Sequence, residues 1–234
     1  MKLLITTTLL SFSLLSASEI YATYSVQAAK EANLAFNIGG IVKKALVDIG
    51  DEVKSNELLA ELKNSDIKAN LNLAQIELKY AKKDYNRQLK VKSVIGQSVL
   101  DKFAFKKEIA QAKIAQIKTT LDKTYLKAPF DGVISYKNIE KGDVVAGVNP
   151  KVVYKIISSH KRELIVEFDA KYLTTIKVGD TFKYKIDGSN KELKGKIIKI
   201  YPTVDAKTQK AKAKVIANDI KVGLFGSGTI VTKD

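Results

Sequence analysis

The chain has 234 residues, of which 45% are hydrophobic and 28% charged, a balance typical of globular rather than disordered proteins. It contains no cysteine, which excludes a disulfide, a cysteine nucleophile, a cysteine-ligated metal site and an acylated lipoprotein terminus. The 40 Lys and Arg residues outnumber the 25 Asp and Glu residues and give a net charge of +15, which favours a generally cationic solvated surface; after export its anionic partners would be membrane surfaces or acidic protein faces.

Residues 1–18 predict a secretory signal peptide. The basic residue Lys2 precedes an apolar run over residues 3–15 and the small residues Ser16-Ala17-Ser18. That run of about 13 residues is too short for a helix to cross a bilayer of roughly 30 Å. We therefore expect export with cleavage after Ala17 or Ser18, and an uncleaved anchor is the alternative.

A repeated motif occurs twice along the chain. The first copy begins at Gly40 and reaches a Gly-Asp pair at Gly50, and the second begins at Gly132 and reaches a Gly-Asp pair at Gly142. Glycine permits positive φ and aspartate bonds nearby backbone, so we expect structural turns at these four glycines. Neither copy can bury its apolar face alone, so the two copies should close into one small β-sandwich. The halves of this sandwich are 37–63 and 124–151.

The segment between the copies, residues 64–123, predicts two helices. Apolar residues recur at spacings of three and four on both sides of a break at 93–98, which is the pattern of a heptad seam. The first seam is Ile67, Leu71, Ala74, Leu78, Ala81 and Tyr85, and the second is Leu100, Phe103, Lys107, Ala110, Ile114, Ile117 and Leu121. We expect an α-helical coiled-coil hairpin of two helices of about 25 residues, each roughly 40 Å long.

Polar residues mark the expected start of each helix. Asn64-Ser65-Asp66 are candidates to cap the first helix, and Ser98 with Asp101 resembles a capping box for the second. Each seam is wide enough to bury only the other helix, so most of both helices must face water or a partner. We expect the outer surface to bind a partner, and packing of the hairpin back onto its own chain as a bundle is the alternative.

From residue 152 onward the apolar pattern changes to period two, which is typical of β-strands. Five or six short segments separated by Gly/Asp turns predict a small β-barrel over residues 152–234. The predicted strands are 164–168, 181–186, 193–201, 210–217 and 228–232, with turns at 177–180 and 187–190. Residues 19–36 form an N-terminal extended segment that should pair with this barrel. The predicted fold class is therefore α+β, elongated and multidomain.

This arrangement resembles the membrane fusion protein family, the periplasmic adaptors of the HlyD type. The residues that carry the resemblance are 39–42 with 50–53, 126–134 with 142–145, and 195–202 with 205–208; the segment Ala128-Pro129-Phe130-Asp131-Gly132 is the most specific. The resemblance implies a lipoyl-like β-sandwich split by an α-helical hairpin and followed by a β-barrel. It also implies that the family's membrane-proximal domain is reduced or absent after Gly228.

The resemblance implies the function of an adaptor in a tripartite efflux pump for multidrug resistance. Such a subunit lies in the periplasm, associated with the inner membrane, and links an inner-membrane transporter to a TolC-like outer-membrane channel. A resistance-nodulation-division transporter is favoured, and the family expectation is self-association into a ring, with a hexamer as the usual copy number. Arg87, Val91 and Ser98 match the spacing of the family's channel-docking residues at the hairpin tip, with Val in place of Leu.

The sequence also allows other functions. An adaptor of an ATP-driven exporter or of a type I secretion system would use a similar subunit. A secreted basic module that binds polyanions is an alternative of another class. We expect no enzyme, no cofactor and no metal site, because His160 is the single histidine and Met1 the single methionine of the chain.

Overall fold

The computed structural model of the chain describes residues 19–186 and 192–232. The predicted signal peptide at 1–18 and the predicted turn at 187–190 lie outside these residues. The described residues divide into two compact units: 19–29 with 160–186 and 192–232 form the first, and Lys30–Ser159 forms the second. In chain order the elements are β1 (Glu19–Ala28), β2 (Glu31–Leu34), β3 (Gly40–Ala45), β4 (Glu52–Val53), β5 (Leu58–Leu62), α1 (Ser65–Lys90), α2 (Gln97–Asp122), β6 (Tyr125–Lys127), β7 (Gly132–Lys137), β8 (Val144–Val145), β9 (Tyr154–Ser158), β10 (Lys161–Asp169), β11 (Thr181–Lys185), β12 (Glu192–Asp205), β13 (Lys210–Asn218) and β14 (Phe225–Val231), with a short 3-10 turn at Ala170–Tyr172.

The first unit is a closed antiparallel barrel with the strand order β1-β10-β13-β12-β11-β14. Side chains alternate between the interior and the outer surface along β1, β11 and β13, as period two requires. The interior contains a cluster of three aromatic rings: Phe182 stacks on Tyr184, and Tyr24 meets both rings edge to face. The predicted barrel and its expected strands are present in the described residues.

The second unit contains two four-stranded sheets, β2-β9-β7-β4 and β6-β5-β3-β8, which share one apolar core. The half at 37–63 contains β3, β4 and β5, and the half at 124–151 contains β6, β7 and β8. Each of these strands pairs with a strand of the other half: β3 with β8, β4 with β7, and β5 with β6. The two copies therefore close into one body, as the repeat predicts.

Backbone hydrogen bonds join the two copies at equivalent positions. The N–H of Gly142 donates to the carbonyl of Val42 at 2.9 Å, and the N–H of Gly50 donates to the carbonyl of Ile134 at 2.8 Å. In return, Val42 and Ile134 each donate to the carbonyl of the aspartate that follows the other copy's glycine, at 2.8 and 3.0 Å. Each Gly-Asp turn is thus fixed to the first strand of the opposite copy.

Two of the four glycines expected at turns lie there. Gly50 and Gly142 have φ of 95° and 101°, and in both turns the aspartate carboxylate accepts the N–H three residues earlier. Gly179 of the barrel repeats this turn with φ of 101°. Gly40 and Gly132 are instead the first residues of β3 and β7, so the expectation of turns there was wrong. At these positions glycine allows a close approach to a neighbouring chain segment.

The boundary between the units differs from the expected one. Only residues up to Ala28 of the N-terminal segment pair in the barrel, because β2 pairs with β9 in the second unit. Residues 154–158 were assigned to the barrel, yet β9 also pairs with β7, and Tyr154 and Ile156 are fully buried in the second unit's core. A period-two pattern identifies a strand but not the sheet that it joins.

We predict that Gly132→Ala destabilises the second unit by about 1–3 kcal/mol. A Cβ at this position would overlap the carbonyl oxygen of Ile157 and the side chain of Ile156, and the backbone must shift to make room. Urea denaturation of the purified variant measures the change in the free energy of unfolding.

Gly40→Ala is the matched control, because Gly40 occupies the equivalent position of the first copy. Its added Cβ would meet the flexible end of the Leu62 side chain at 3.2 Å, so its cost should be clearly smaller. Equal losses of unfolding free energy in the two variants would contradict the explanation that the cost at Gly132 comes from its close approach to the β9 backbone.

Candidate functional site

The two helices α1 and α2 each span 26 residues and pack against each other. Every predicted seam residue is buried or half-buried, and Ala74 and Ala110 are the buried residues of α1 and α2. Asp66 in the first turn of α1 and Arg87 and Lys90 in its last turn complement the helix dipole. Helix formation therefore follows from local propensity and a single apolar stripe.

Contacts between the helices establish an antiparallel hairpin. Lys113 of α2 bonds Glu77 of α1 at 2.7 Å. Lys107, the one charged member of the seams, places its ammonium group 4.2 Å from the centre of the Tyr85 ring. A cation can remain at the seam because the ring face attracts it while its aliphatic stem stays in contact with apolar neighbours.

A buried polar network fixes the base of the hairpin. The side-chain amide of Asn64 donates to Thr124 at 3.0 Å and lies 3.4 Å from Glu61, and Thr124 in turn donates to the carbonyl of Leu121 at 2.6 Å. Asn64, Thr124 and Glu61 are each at least 94% buried. Asn64 therefore joins the two ends of the hairpin and makes no side-chain cap of α1, contrary to the capping expectation.

Glu61 is the charged member of this network. Lys43 donates to its carboxylate at 3.1 Å and Lys68 lies 3.8 Å away. Burial by itself raises the pKa of Glu61, but the hydrogen bond from Lys43 and the charges of Lys43, Lys68 and Lys44 outweigh it and hold the pKa below its ordinary value. The carboxylate is thus kept ionised at the point where the hairpin leaves the sandwich.

The hairpin tip is formed by the end of α1, the turn at 91–96 and the start of α2. The turn is closed by backbone bonds from Val94 and Ile95 to the carbonyl of Val91, at 2.9 and 3.2 Å. Arg87, Val91 and Ser98 all lie exposed within about two helical turns of the tip. Arg87 pairs with Asp84 one turn earlier on its own helix. The structure thus brings the three predicted docking residues to one end of the hairpin.

The capping box expected for α2 is not formed. Gly96 occupies the N-cap position with no side-chain cap bond, and α2 begins at Gln97. Asp101 accepts a hydrogen bond at 2.8 Å from the side chain of Gln97 instead of capping the backbone. Ser98 consequently makes no cap of α2, and its exposed hydroxyl lies in the first turn of the helix.

The tip also presents an apolar residue that the sequence reasoning did not single out. Val94 is 86% exposed at the centre of the turn, with the cationic Lys90 and Lys92 close by in the chain. An apolar side chain in a predicted helix-to-helix turn, where no seam can cover it, is the signal that could have identified it.

Among the described residues, no group of three or more His, Asp or Glu residues is arranged to hold a metal ion. The His160 side chain is 78% exposed and lies 3.4 Å from the Asp219 carboxylate at the barrel surface. No helix in the described part of the chain is both long and apolar enough to span a bilayer.

Comparison with known proteins identifies the sandwich and hairpin segment. The profile of the family described as "CzcB-like, barrel-sandwich hybrid domain" matches residues 30–156. The cobalt-zinc-cadmium resistance protein CzcB of Cupriavidus metallidurans is 26% identical over 222 residues, which cover 88% of this chain and 42% of that protein. The multidrug resistance protein MdtA of Escherichia fergusonii is 24% identical over 226 residues, 86% of this chain and 54% of MdtA. The chain thus spans about half the length of the curated relatives it matches.

Solved structures share the fold at low sequence identity. A MacA-MexA chimeric protein that contains the Pseudomonas aeruginosa MexA α-hairpin domain matches with a TM-score of 0.85 and 18% identity, covering 93% of this chain and 80% of that one. ZneB from Cupriavidus metallidurans matches with a TM-score of 0.63 and 19% identity, covering 93% of this chain and 99% of the ZneB chain.

We predict that Glu61→Gln lowers the free energy of unfolding by about 2 kcal/mol at pH 7, because a buried charge-assisted network loses its anion. A carboxylate with a depressed folded-state pKa stabilises the protein above its unfolded value, and this stabilisation disappears as pH falls through the folded value. The difference between the parent chain and the variant should therefore shrink as pH falls below about 4. Urea denaturation at neutral and acidic pH measures both effects.

Glu52→Gln is the matched control, since Glu52 is an exposed carboxylate of the same unit with no ion pair among the described residues. It should change the free energy of unfolding by less than about 0.5 kcal/mol. If the difference in unfolding free energy between the parent chain and Glu61→Gln stays constant from neutral to acidic pH, the charge of Glu61 contributes nothing to stability.

Proposed function

The chain belongs to the membrane fusion protein family, the periplasmic adaptors of efflux systems, and from this premise we propose that it links an inner-membrane transporter to a TolC-like outer-membrane channel. The observation that carries the proposal is the hairpin, whose tip presents Arg87, Val91 and Ser98 to solvent. The family is one of structural adaptors, so the chain would contribute surfaces and no catalytic step.

The hairpin is proposed to act as a coiled coil that reaches the channel. The seams of α1 and α2 have heptad spacing, and each is covered by the other helix. One apolar stripe per helix is enough to hold two helices together and leaves the tip free of other contacts among the described residues. A paired helix of 26 residues extends about 39 Å from its base, which suits a subunit that must bridge two partners.

Docking is proposed to use the chemistry of the three tip residues. The Arg87 guanidinium can form paired hydrogen bonds with a carboxylate or carbonyl groups of the channel. Val91 is 44% exposed and can fill an apolar groove, as can Val94 beside it. The Ser98 hydroxyl can donate to the partner's backbone, because in this chain it caps no helix. The pair between Arg87 and Asp84 is at the surface and costs little to exchange for a partner.

A resistance-nodulation-division transporter is the favoured inner-membrane partner, and an ATP-driven exporter or a type I secretion system is the alternative. Cargo selection would belong to the transporter. CzcB is named for cobalt, zinc and cadmium and MdtA for multidrug resistance, and the chain resembles the two to a similar degree. The described residues hold no candidate metal cluster that would favour a metal cargo.

The proposed place of work is the periplasm at the inner membrane, where residues 1–18 would act as a cleaved signal peptide. Several copies would associate side by side into a ring, with a hexamer as the family expectation. A contact between two different surfaces of adjacent copies generates such a ring when the rotation closes.

We predict that Arg87→Asp and Ser98→Asp each abolish efflux while leaving the fold intact. A negative charge at either position would repel or fail to bond the acceptors that the native residues reach. The measurement is drug or metal resistance of cells that depend on this chain, together with urea denaturation of the purified variants, where the free energy of unfolding should fall by no more than about 1 kcal/mol.

Lys118→Asp is the matched control, because Lys118 is exposed on α2 far from the tip and the substitution makes the same change in charge as Arg87→Asp. Cells that carry Lys118→Asp should retain resistance. Normal resistance in both tip variants would rule out the docking role of Arg87 and Ser98.

A further inference from the structure

Lysines crowd the outer surface of three neighbouring barrel strands, β11, β12 and β13. Phe182, Ile197 and Val215 of these strands are buried in the barrel core, and the lysines lie on the opposite, outward side. The eight lysines are Lys183, Lys185, Lys194, Lys196, Lys199, Lys210, Lys212 and Lys214, and we call them the lysine face. The three strands contain no arginine, and their two acidic residues, Glu192 and Asp205, are the end residues of β12.

Two pairs of these lysines face each other directly across neighbouring strands. Lys183 lies opposite Lys194 between β11 and β12, and Lys199 lies opposite Lys214 between β12 and β13. Residues directly opposite each other in antiparallel strands hold their Cβ atoms about 5 Å apart, and like charges at that spacing are destabilising. Folding stability alone therefore does not account for this arrangement.

A β-bulge brings Lys199 into the lysine face. Lys194 and Lys196 alternate with inward residues, and continued alternation would turn Lys199 toward the barrel interior. The register of β12 against β13 shifts between Ile197 and Lys199, so Ile198 is the extra residue and Lys199 is exposed on the outer surface. The irregularity thus adds a cation to the face instead of a residue to the core.

Carboxylates neutralise the lysine face only along its sides and at one end of β12. Glu163 and Glu167 of β10 pair with lysines of β13, and Glu19 of β1 pairs with a lysine of β11. At the centre of the face, Lys196 and Lys199 form no ion pair within the described part of the chain. The middle of the face therefore keeps its positive charge and is complementary to an anionic surface.

The side chains of the lysine face suit a phospholipid surface better than a protein surface. Lysine is depleted in protein–protein interfaces, where arginine and aromatic residues are enriched. A lysine ammonium group meets a phosphate as a point charge on a flexible stem and does not need a fixed geometry. Ile198 and Ile216, which are 44% and 52% exposed, lie beside Lys199 and Lys214 and can reach the boundary between headgroups and acyl chains.

We propose that the lysine face binds the headgroups of anionic phospholipids at the surface of a bilayer. This inference rests on the proposed place of work at the inner membrane and assigns that contact to a surface of the barrel. Lys196 and Lys199 supply the charge that no carboxylate of the barrel neutralises. The attraction is electrostatic, so it acts over about 10 Å at moderate ionic strength and weakens as salt is added.

Flotation with lipid vesicles tests the contact on the full chain. The probes are vesicles of phosphatidylcholine alone and vesicles in which about one third of the lipid is phosphatidylglycerol. The expected result is stronger binding to the anionic vesicles, which declines as sodium chloride is raised because the screening length shortens. Equal binding to both kinds of vesicle would overturn the proposal, because apolar contacts, including any made by residues 1–18, do not distinguish them.

Lys196→Gln combined with Lys199→Gln should weaken binding to the anionic vesicles by about 10- to 30-fold. Because Lys199 lies opposite another lysine, this double variant should unfold at the same urea concentration as the parent chain or at a higher one. Unchanged vesicle binding by the double variant would refute the proposal. A lower urea midpoint would contradict the argument from like charges on which it depends.

Lys82→Gln combined with Lys102→Gln is the matched control. Both lysines are exposed on the hairpin and form no ion pair among the described residues, and the change in charge is the same. This control should bind the anionic vesicles as the parent chain does. An equal loss of binding in the two double variants would show a general attraction by net charge and would rule out a site on the barrel.

Two further measurements distinguish other anionic partners. Inorganic phosphate should release no more protein from the vesicles than sodium chloride of the same ionic strength, and a greater release would indicate a site for free phosphate. Loss of resistance in cells that carry the Lys196 and Lys199 double variant, without vesicle binding by the parent chain, would indicate an acidic protein surface. Either result would contradict binding to lipid headgroups. Channel docking is tested separately by the tip variants, so failure of one proposal leaves the other standing.

Discussion

Reciprocal backbone hydrogen bonds between the two copies of the repeat are the constraint on which the second unit depends. Each Gly-Asp turn is bonded to the first strand of the opposite copy, through Gly50 to Ile134 and through Gly142 to Val42. Neither copy can satisfy these backbone groups alone, and neither has enough apolar surface to bury them. The ends of the intervening segment are therefore brought together whatever that segment contains.

The two ends of the hairpin are held together by this closure of the sandwich. Asn64 and Thr124, at its two ends, bond one another in a buried network that includes the ionised Glu61. From there the helices are held by one seam, with Lys107 accommodated over Tyr85. A long pair of helices with so little buried surface is stable because its ends are fixed by the sandwich rather than because of a core of its own.

Residues of the sandwich and the barrel differ from residues of the hairpin in what constrains them. In the sandwich and barrel, sequence is constrained by packing, as at Gly132, where no side chain fits. On the hairpin most residues are exposed, so any constraint on the sequence there would come from contacts with partner proteins. An adaptor needs this combination, because its contribution is to hold surfaces at fixed positions and not to perform chemistry.

Local patterns in the sequence determined a large part of this structure. The heptad spacing selected residues that are all buried or half-buried in the two helices, alternation identified the barrel strands, and the repeat identified the closure of the sandwich. These features depend on residues close together in the chain or on a repeated motif, so they can be recognised without coordinates. The tip residues Arg87, Val91 and Ser98 were placed by resemblance, and their docking role remains a prediction.

Only the tertiary structure decided which sheet each strand joins and what each polar residue bonds. The strands β2 and β9 belong to the sandwich because they pair with each other and Tyr154 fills its core, and no local pattern carries that information. Gly40 and Gly132 are required by neighbouring strands and not by turns, and Asn64 bonds Thr124 across the hairpin base instead of capping a helix. In each case the deciding contact comes from a residue distant in the chain, whereas propensities and caps report only on near neighbours.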